Sequence, residues 1–204
     1  MRAFTTLTSV AAPLPDENID TDIIYPARFL LLTSREGLGD CAFADRRLDG
    51  DGQEIADFVL NRDPWRTAAI LVAGANFGTG SSREQAVWAL AGRGIRCVIA
   101  PSFGEIFHGN CFRNGVLPVQ LPAEDVARLM EVAAAALPFT VDLPQQTVRA
   151  GPLALSFAIP AERREALLNG WDETALLLNA SADAITIFET RQRAIQPWLY
   201  EVLP

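Results

Sequence analysis

Residues 68–91, AAILVAGANFGTGSSREQAVWALA, decide the fold of this chain. The apolar run at residues 68–73 is long enough for a buried strand, and the two glycines within residues 76–80 permit a tight turn. Ser81 and Glu84 have the spacing of a capping box, in which each side chain accepts a hydrogen bond from a free amide of the other residue. The stretch therefore predicts a strand, a glycine loop and a helix that begins at the serine.

The predicted helix start carries Ser81, Ser82 and Arg83 directly after the glycines. Free amides and the helix dipole favour negative charge at such a terminus, and a guanidinium can hold a carboxylate with two hydrogen bonds. We call residues 78–83 the anion corner and expect it to bind a small anion. A plain helix cap beside a solvated arginine is the structural alternative.

Composition limits the classes of protein to which the chain can belong. Its 204 residues can bury a full core, the net charge is −8, and all 17 basic residues are arginine. The acidic balance argues against nucleic-acid binding, and the absence of lysine excludes a lysine Schiff base and a P-loop lysine. No apolar run is long enough to span a membrane and no signal peptide is evident, so we expect a cytoplasmic protein without a membrane partner.

Metal and nucleophile chemistry have few candidate residues here. There is one histidine, His108, and three cysteines at positions 41, 97 and 111. Their wide spacing does not resemble a zinc or iron–sulfur ligand set, so we predict buried, reduced thiols and no metal on this chain.

The middle of the chain has the order of a parallel α/β core. Apolar strands are predicted at residues 95–100 and 117–121 after the first one, and a helix at residues 103–114 separates them. This βαβαβ order implies parallel strands with right-handed crossovers, and ligands in such sheets bind outside the carboxyl ends of the strands. The anion corner lies at that edge.

The flanking regions predict further elements. We expect a strand at residues 4–10, a short helix at 55–60, an amphipathic helix at 124–136, a two-stranded hairpin from 140–148 and 153–159, and helices at 160–169, 172–178 and 183–193, followed by an apolar tail at 198–200. Residues 1–204 are predicted to form a single domain with a C-terminal extension from about residue 160.

Residues 13–28, PLPDENIDTDIIYPAR, form a proline-rich loop with four acids. Most such runs are solvated, but the apolar residues 23–25 predict that this loop packs against the protein. An acid held there needs a partner, most often arginine. We therefore expect Asp22 to hydrogen-bond at the anion corner.

Two common glycine-loop motifs do not fit. A dinucleotide-binding fingerprint and a Gly-x-Ser-x-Gly nucleophile elbow each need a glycine where this chain has Arg83.

Several motifs in one order resemble the small subunit of 3-isopropylmalate dehydratase, a member of the aconitase superfamily. They are NFGTGSSRE at residues 76–84, VIAPSF at 98–103, NIDTDII at 18–24 with PARFL at 26–30, DFVL at 57–60, NCFRNGVLP at 110–118 and GWD at 170–172. The resemblance covers nearly the whole chain.

The resemblance implies a fold, a partner and a reaction. The fold is the β/β/α swivelling domain of aconitase, around the parallel βαβαβ core. The partner is a large subunit, in a heterodimer or larger assembly, that holds a [4Fe-4S] cluster whose open iron acts as a Lewis acid on the substrate. The reaction is the dehydration and rehydration that isomerises 2-isopropylmalate to 3-isopropylmalate in leucine biosynthesis.

The resemblance also implies roles for single residues. Ser81 matches the catalytic base, Asp22 an acid that supports the site, and Arg83 the clamp on a substrate carboxylate. Arg28 and Ser82 are further substrate contacts. The region at residues 29–39, with Leu31 and Leu32, matches the part that selects the variable group of the substrate.

Two departures keep alternatives open. Thr79 stands where this family usually has Cys, and Gln85 where it usually has His. A related hydro-lyase acting on another malate-type acid, such as methylmalate, citraconate or homoaconitate, is one alternative, and a stand-alone domain that binds a small anion is another. In the selecting region the leucines favour an alkyl pocket, whereas Arg35 allows a third carboxylate.

Overall fold

The computed structural model describes residues 1–32 and 34–200 of the chain. The strands are β1 (Thr6–Leu14), β2 (Ile70–Ala73), β3 (Cys97–Ala100), β4 (Leu117–Gln120), β5 (Pro138–Asp142), β6 (Thr147–Ala150) and β7 (Leu153–Ser156). The α-helices are α1 (Thr21–Ile24), α2 (Ala44–Arg47), α3 (Gln85–Gly92), α4 (Glu105–Arg113), α5 (Ala123–Ala134), α6 (Ala161–Asn169), α7 (Glu173–Ala180) and α8 (Ala182–Ile195). Short 3-10 turns lie at Ala27–Phe29, Leu38–Cys41, Val59–Asn61, Trp65–Thr67 and Pro197–Leu199.

The seven strands form one mixed sheet in the order β4-β3-β2-β1-β5-β6-β7. Strands β1 to β4 pair in parallel, and β5 to β7 continue the sheet as an antiparallel meander. The predicted parallel βαβαβ core is therefore confirmed in β2-α3-β3-α4-β4, as is the α/β class.

Successive residues of the parallel strands are buried on opposite faces of the sheet. Leu71 and Val98 belong to the core on one face, together with α1 and α3, whereas Ile70 and Val119 belong to the core on the other face, beside α5. Because both faces are covered, these strands appear in the sequence as continuous apolar runs rather than as alternating ones.

Strand β1 extends further than the predicted strand at residues 4–10 and includes Pro13, which the sequence predicts to lie in the acidic loop. Its first half pairs with β5 and its second half, residues 11–14, pairs with β2. A proline that lacks an N–H is tolerated there because that half of the strand has a partner on one side only.

The predicted helix at residues 55–60 is wrong. The Asn61 side-chain amide donates to the carbonyl oxygens of Arg47 and Ile55, at 2.7 and 2.9 Å, and these contacts replace a helical ladder.

The predicted two-stranded hairpin is wrong in its number of strands, because this region forms the three strands β5, β6 and β7. Residues 140–148 are broken after Asp142, because its carboxylate accepts from the amide of Gln145 at 2.8 Å and closes a turn.

The chain divides into two compact units, Met1–Gly170 and Trp171–Pro204. The first contains the whole sheet and α6, whose Leu167 is fully buried in the core. The second consists, within its described residues, of α7, α8 and the turn at Pro197–Leu199. None of the helices in the described ranges combines the length and the hydropathy that crossing a bilayer requires.

Candidate active site

The loops that follow β1 and β2 meet at the carboxyl edge of the parallel strands. The amide of Asn18 donates to the carbonyl oxygen of Ala75 at 2.8 Å, and the amide of Gly78 donates to that of Ile19 at 2.7 Å. The acidic loop of the sequence therefore packs against the glycine loop, as predicted.

The loop after β3 joins them. The amide of Asn76 donates to Ser102 Oγ at 2.8 Å, and the amide of Gly104 donates to the carbonyl oxygen of Phe77 at 2.9 Å. Three loops that are distant in sequence are thus tied into one surface, and the anion corner lies on it.

Position 78 requires a glycine, because both its backbone conformation and its neighbours exclude a side chain. Its φ of 74° lies in the left-handed region, and a Cβ built on it would lie 2.2 Å from the ring of Phe107. That ring is buried and contacts Phe77 edge-on. The glycine loop therefore rests directly on α4.

Ser81 is half-buried and is held by Thr21 through two contacts. The two hydroxyl oxygens are 2.9 Å apart, and the amide of Ser81 donates to Thr21 Oγ1 at 3.1 Å. The backbone of Thr21 is fixed in turn, because its amide donates to the carbonyl oxygen of Thr79 at 2.9 Å. The amide of Arg83 donates to Ser81 Oγ over a longer 3.4 Å.

The predicted capping box does not form. Helix α3 begins at Gln85, with Glu84 at its N-cap and no side-chain cap. Glu84 instead accepts from the side-chain amide of Asn114 at 2.7 Å, while the hydroxyl of Ser81 is engaged by Thr21. Glu84 is thus engaged by the C-terminal end of α4 and Ser81 by the loop that carries Thr21, so neither side chain completes the box.

Arg83 and Asp22 form an ion pair. The Arg83 side chain is only 21% exposed, whereas that of Asp22 is 52% exposed. Asp22 therefore reaches the anion corner with an arginine as its partner, as predicted, but its side chain also faces solvent. The neighbouring Asp20 caps α1 by accepting from the amide of Ile23 at 2.7 Å.

The other predicted site residues lie at the surface. Arg28 pairs with Asp45 of α2 and lies 4.4 Å above the ring of Phe29, so its partners here are outside the anion corner. Ser82 is exposed, as are Leu31, at 91%, and Leu32.

Thr21 is the contact of Ser81 that sequence reasoning did not identify. It is 1% exposed and lies between Asp20 and Asp22 in a segment whose charge pattern is typical of a solvated loop. The available signal was a hydroxyl residue inside a loop already predicted to pack on the corner.

The two residues that depart from the family pattern lie in different elements, Thr79 in the glycine loop and Gln85 in α3. Thr79 contributes its backbone, through the carbonyl that accepts from Thr21 and a bridge to Asp20. Gln85 is the first residue of α3 and is half-buried.

The cysteines and the histidine are the side chains that could serve a metal or a nucleophile, and they are at least partly buried. All three cysteines are free and buried, and burial raises the pKa of the Cys97 and Cys111 thiols. Burial, with a smaller effect of Arg163, lowers the pKa of His108, which packs between the rings of Phe103 and Phe112. In the part of the chain that is described, no group of His, Cys, Asp and Glu could hold a metal ion.

Comparison with known proteins decides the family. The family model of the aconitase C-terminal domain matches residues 1–124. A 3-isopropylmalate dehydratase small subunit from Rhodospirillum centenum is 52% identical over 97% of this chain and 98% of its own length. One from Paramagnetospirillum magneticum is 50% identical over 98% of this chain and its whole length. This chain belongs to the 3-isopropylmalate dehydratase small subunit family. The resemblance on which the sequence analysis rested is thereby confirmed.

A solved structure has the same fold as this member of the dehydratase small subunit family. The 3-isopropylmalate dehydratase from Methanocaldococcus jannaschii superposes with a TM-score of 0.66 over 92% of this chain and 99% of the other, at 23% identity. The expected swivelling-domain architecture is therefore confirmed.

Proposed function

We propose that this chain is the small subunit of a 3-isopropylmalate dehydratase, which isomerises 2-isopropylmalate to 3-isopropylmalate by dehydration and rehydration in leucine biosynthesis. The observation that carries this proposal is the match to small subunits of that name, at about 50% identity over nearly the full length of both chains. The geometry of the anion corner supports it.

Ser81 is proposed as the base that removes a proton from the substrate carbon. A serine can act in this way only where donors stabilise its alkoxide, since its hydroxyl is otherwise a weak base. The hydroxyl of Thr21 lies 2.9 Å from Ser81 Oγ, and the amide of Arg83 donates to the same oxygen. Both surround the reacting oxygen and support the assignment.

Arg83 is proposed to bind a substrate carboxylate, with Asp22 as the residue that orients it. The guanidinium carries five N–H donors in a rigid plane. The pair with Asp22 engages one terminal nitrogen and holds the side chain at the anion corner, and the donors on the other two nitrogens remain for a bidentate contact with a carboxylate. Ser82, exposed next to Arg83, and Arg28 are proposed as further contacts.

The variable group of the substrate is proposed to be an alkyl group. Leu30, Leu31 and Leu32 present exposed apolar side chains. Arg35, which could have favoured a third carboxylate, lies 4.1 Å over the ring of Trp88 and is engaged there. An isopropyl group suits this surface better than a charged one.

A large subunit is the proposed partner, as the name of the relatives implies, in a heterodimer or a larger assembly. The described residues of this chain offer no ligand set for a [4Fe-4S] cluster, so we place that cluster, which would act as a Lewis acid, on the large subunit. The cytoplasm is the proposed location, because the reaction serves amino-acid synthesis.

The test is co-expression with a cluster-bearing large subunit, anaerobic co-purification, and assays on 2-isopropylmalate, methylmalate and citrate. We expect a stable complex whose kcat/KM is highest for 2-isopropylmalate, with each subunit inactive alone. A complex that prefers methylmalate would identify a related hydro-lyase. A chain that binds no large subunit would contradict the proposal and favour a stand-alone anion-binding domain.

A further inference from the structure

Ser81 and Thr21 are joined in a closed hydrogen-bonded ring. The amide of Ser81 donates to Thr21 Oγ1 at 3.1 Å, and the two hydroxyl oxygens are 2.9 Å apart. Thr21 therefore contacts both the backbone and the side chain of Ser81 with one atom. This arrangement fixes the side-chain rotamer of Ser81 relative to its own backbone.

Counting protons gives the direction of the contact between the hydroxyls. Thr21 Oγ1 has one proton to donate and two lone pairs, one of which receives the amide of Ser81. When Ser81 is deprotonated, its oxygen can only accept, so the proton between the two oxygens must come from Thr21. The alkoxide of Ser81 would then accept from the Thr21 hydroxyl and from the more distant amide of Arg83, 3.4 Å away.

We propose that Thr21 is a positioning residue that orients Ser81 and stabilises its deprotonated form by donating a hydrogen bond to Oγ. This inference rests on the proposed function, in which Ser81 is the base. Thr21 need not touch the substrate to act in this way. It is 1% exposed, and its amide is tied to the carbonyl of Thr79 at 2.9 Å, so the hydroxyl is held in place before substrate arrives.

Burial adds to the effect of this contact. A hydrogen bond to a charged group is stronger than one between neutral groups, and more so away from water. Losing this hydrogen bond should lower the equilibrium constant for deprotonation of Ser81 by about 10- to 100-fold. The loss falls on the charged state of Ser81, and hence on kcat more than on substrate binding.

The test compares three variants in the complex with the large subunit. Thr21→Val removes the hydroxyl and keeps the shape, Thr21→Ser keeps the hydroxyl and removes the methyl group, and Thr8→Val is the matched control. Thr8 also makes a hydroxyl–hydroxyl contact, with Thr140 at 3.0 Å, but on the strands β1 and β5. The readouts are kcat and KM for 2-isopropylmalate across a pH series, with Ser81→Ala as the reference for loss of the base.

We expect Thr21→Val to lower kcat about 10- to 100-fold with KM within a few-fold of wild type, and to move the alkaline-activated limb of the kcat profile to higher pH. Thr21→Ser should restore most of kcat, and Thr8→Val should match wild type. A purely structural role predicts the opposite ranking, because the buried methyl group would matter more than the hydroxyl, and that ranking would overturn the inference.

If the Thr21→Val complex has a kcat close to wild type while the Ser81→Ala complex has a strongly reduced kcat, the inference is overturned and the proposed function stays intact. A wild-type complex that does not turn over 2-isopropylmalate would overturn the proposed function, and the inference with it.

Discussion

The glycine loop rests on α4 at Gly78, and replacing this residue by alanine gives a measurable cost in stability. Two separate effects contribute. An alanine in the left-handed region costs about 1–2 kcal/mol, and a methyl group 2.2 Å from the buried ring of Phe107 adds about 1–3 kcal/mol of overpacking. We therefore expect Gly78→Ala to lower the free energy of unfolding by about 2–5 kcal/mol.

Two other glycines separate these effects. Gly37 has a φ of 80° with open space around its Cβ position, so Gly37→Ala should carry only the backbone cost of about 1–2 kcal/mol. Gly109 lies in α4 with open space and without a positive φ, so Gly109→Ala should be neutral or stabilising by up to about 1 kcal/mol.

The assay is urea unfolding of each variant, followed by tryptophan fluorescence and circular dichroism, with comparison of midpoints at constant m-value. If Gly78→Ala is no less stable than Gly37→Ala, the ring of Phe107 does not lie against the loop and the packing argument fails.

Three further predictions concern the site and its surroundings. Arg83→Lys keeps the charge but loses the two-pronged contact, so in the assembled enzyme we expect about a ten- to hundredfold loss of kcat/KM for 2-isopropylmalate, and unchanged kinetics would show that Arg83 does not bind a carboxylate. The chain expressed alone should be colourless and free of iron by elemental analysis, because its three cysteines are buried and form no ligand group with other residues of the described chain, and stoichiometric iron and sulfide would refute this. Because burial lowers the pKa of His108 in the folded state, its stabilising contribution is present above the unfolded value of about 6.5 and is lost as the pH falls through the lower folded value. His108→Gln should therefore reduce the loss of unfolding free energy between pH 7.5 and 5, and an identical pH dependence in the two proteins would contradict it.

The parallel core was predictable because its signals are local. Residues 70–73, 97–100 and 117–119 are apolar runs separated by helical segments, which makes the strands parallel and brings the loops that follow them to one edge of the sheet. The anion corner could therefore be located before any contact was known.

The sequence-based interpretation failed where a long-range contact overrides a local preference. Ser81 and Glu84 have the spacing of a capping box, but Thr21 and Asn114, 60 and 30 residues away, engage them instead. No periodicity carries such information. In the same way, Asn61 replaces a helix at residues 55–60 with side-chain contacts to backbone carbonyls.

The roles of the site residues depend on family resemblance more than on local pattern. A hydrogen bond from Asp22 to the anion corner is expected because an acid packed on protein needs a partner, but the sequence does not indicate that Arg83 is that partner. That Arg28 would pair with Asp45 was not foreseeable, since each lies in a single helical turn of three or four residues, too short for a sequence period and placed by tertiary packing.

The most direct test of the central claim is the turnover of the reconstituted complex that carries Ser81→Ala, measured beside the wild-type complex with 2-isopropylmalate. A positioned base contributes about 10²- to 10⁴-fold to rate, so we predict a fall in kcat of at least about 100-fold with KM nearly unchanged and assembly intact. A Ser81→Ala complex whose kcat is close to that of wild type would contradict the claim that this chain supplies the catalytic base.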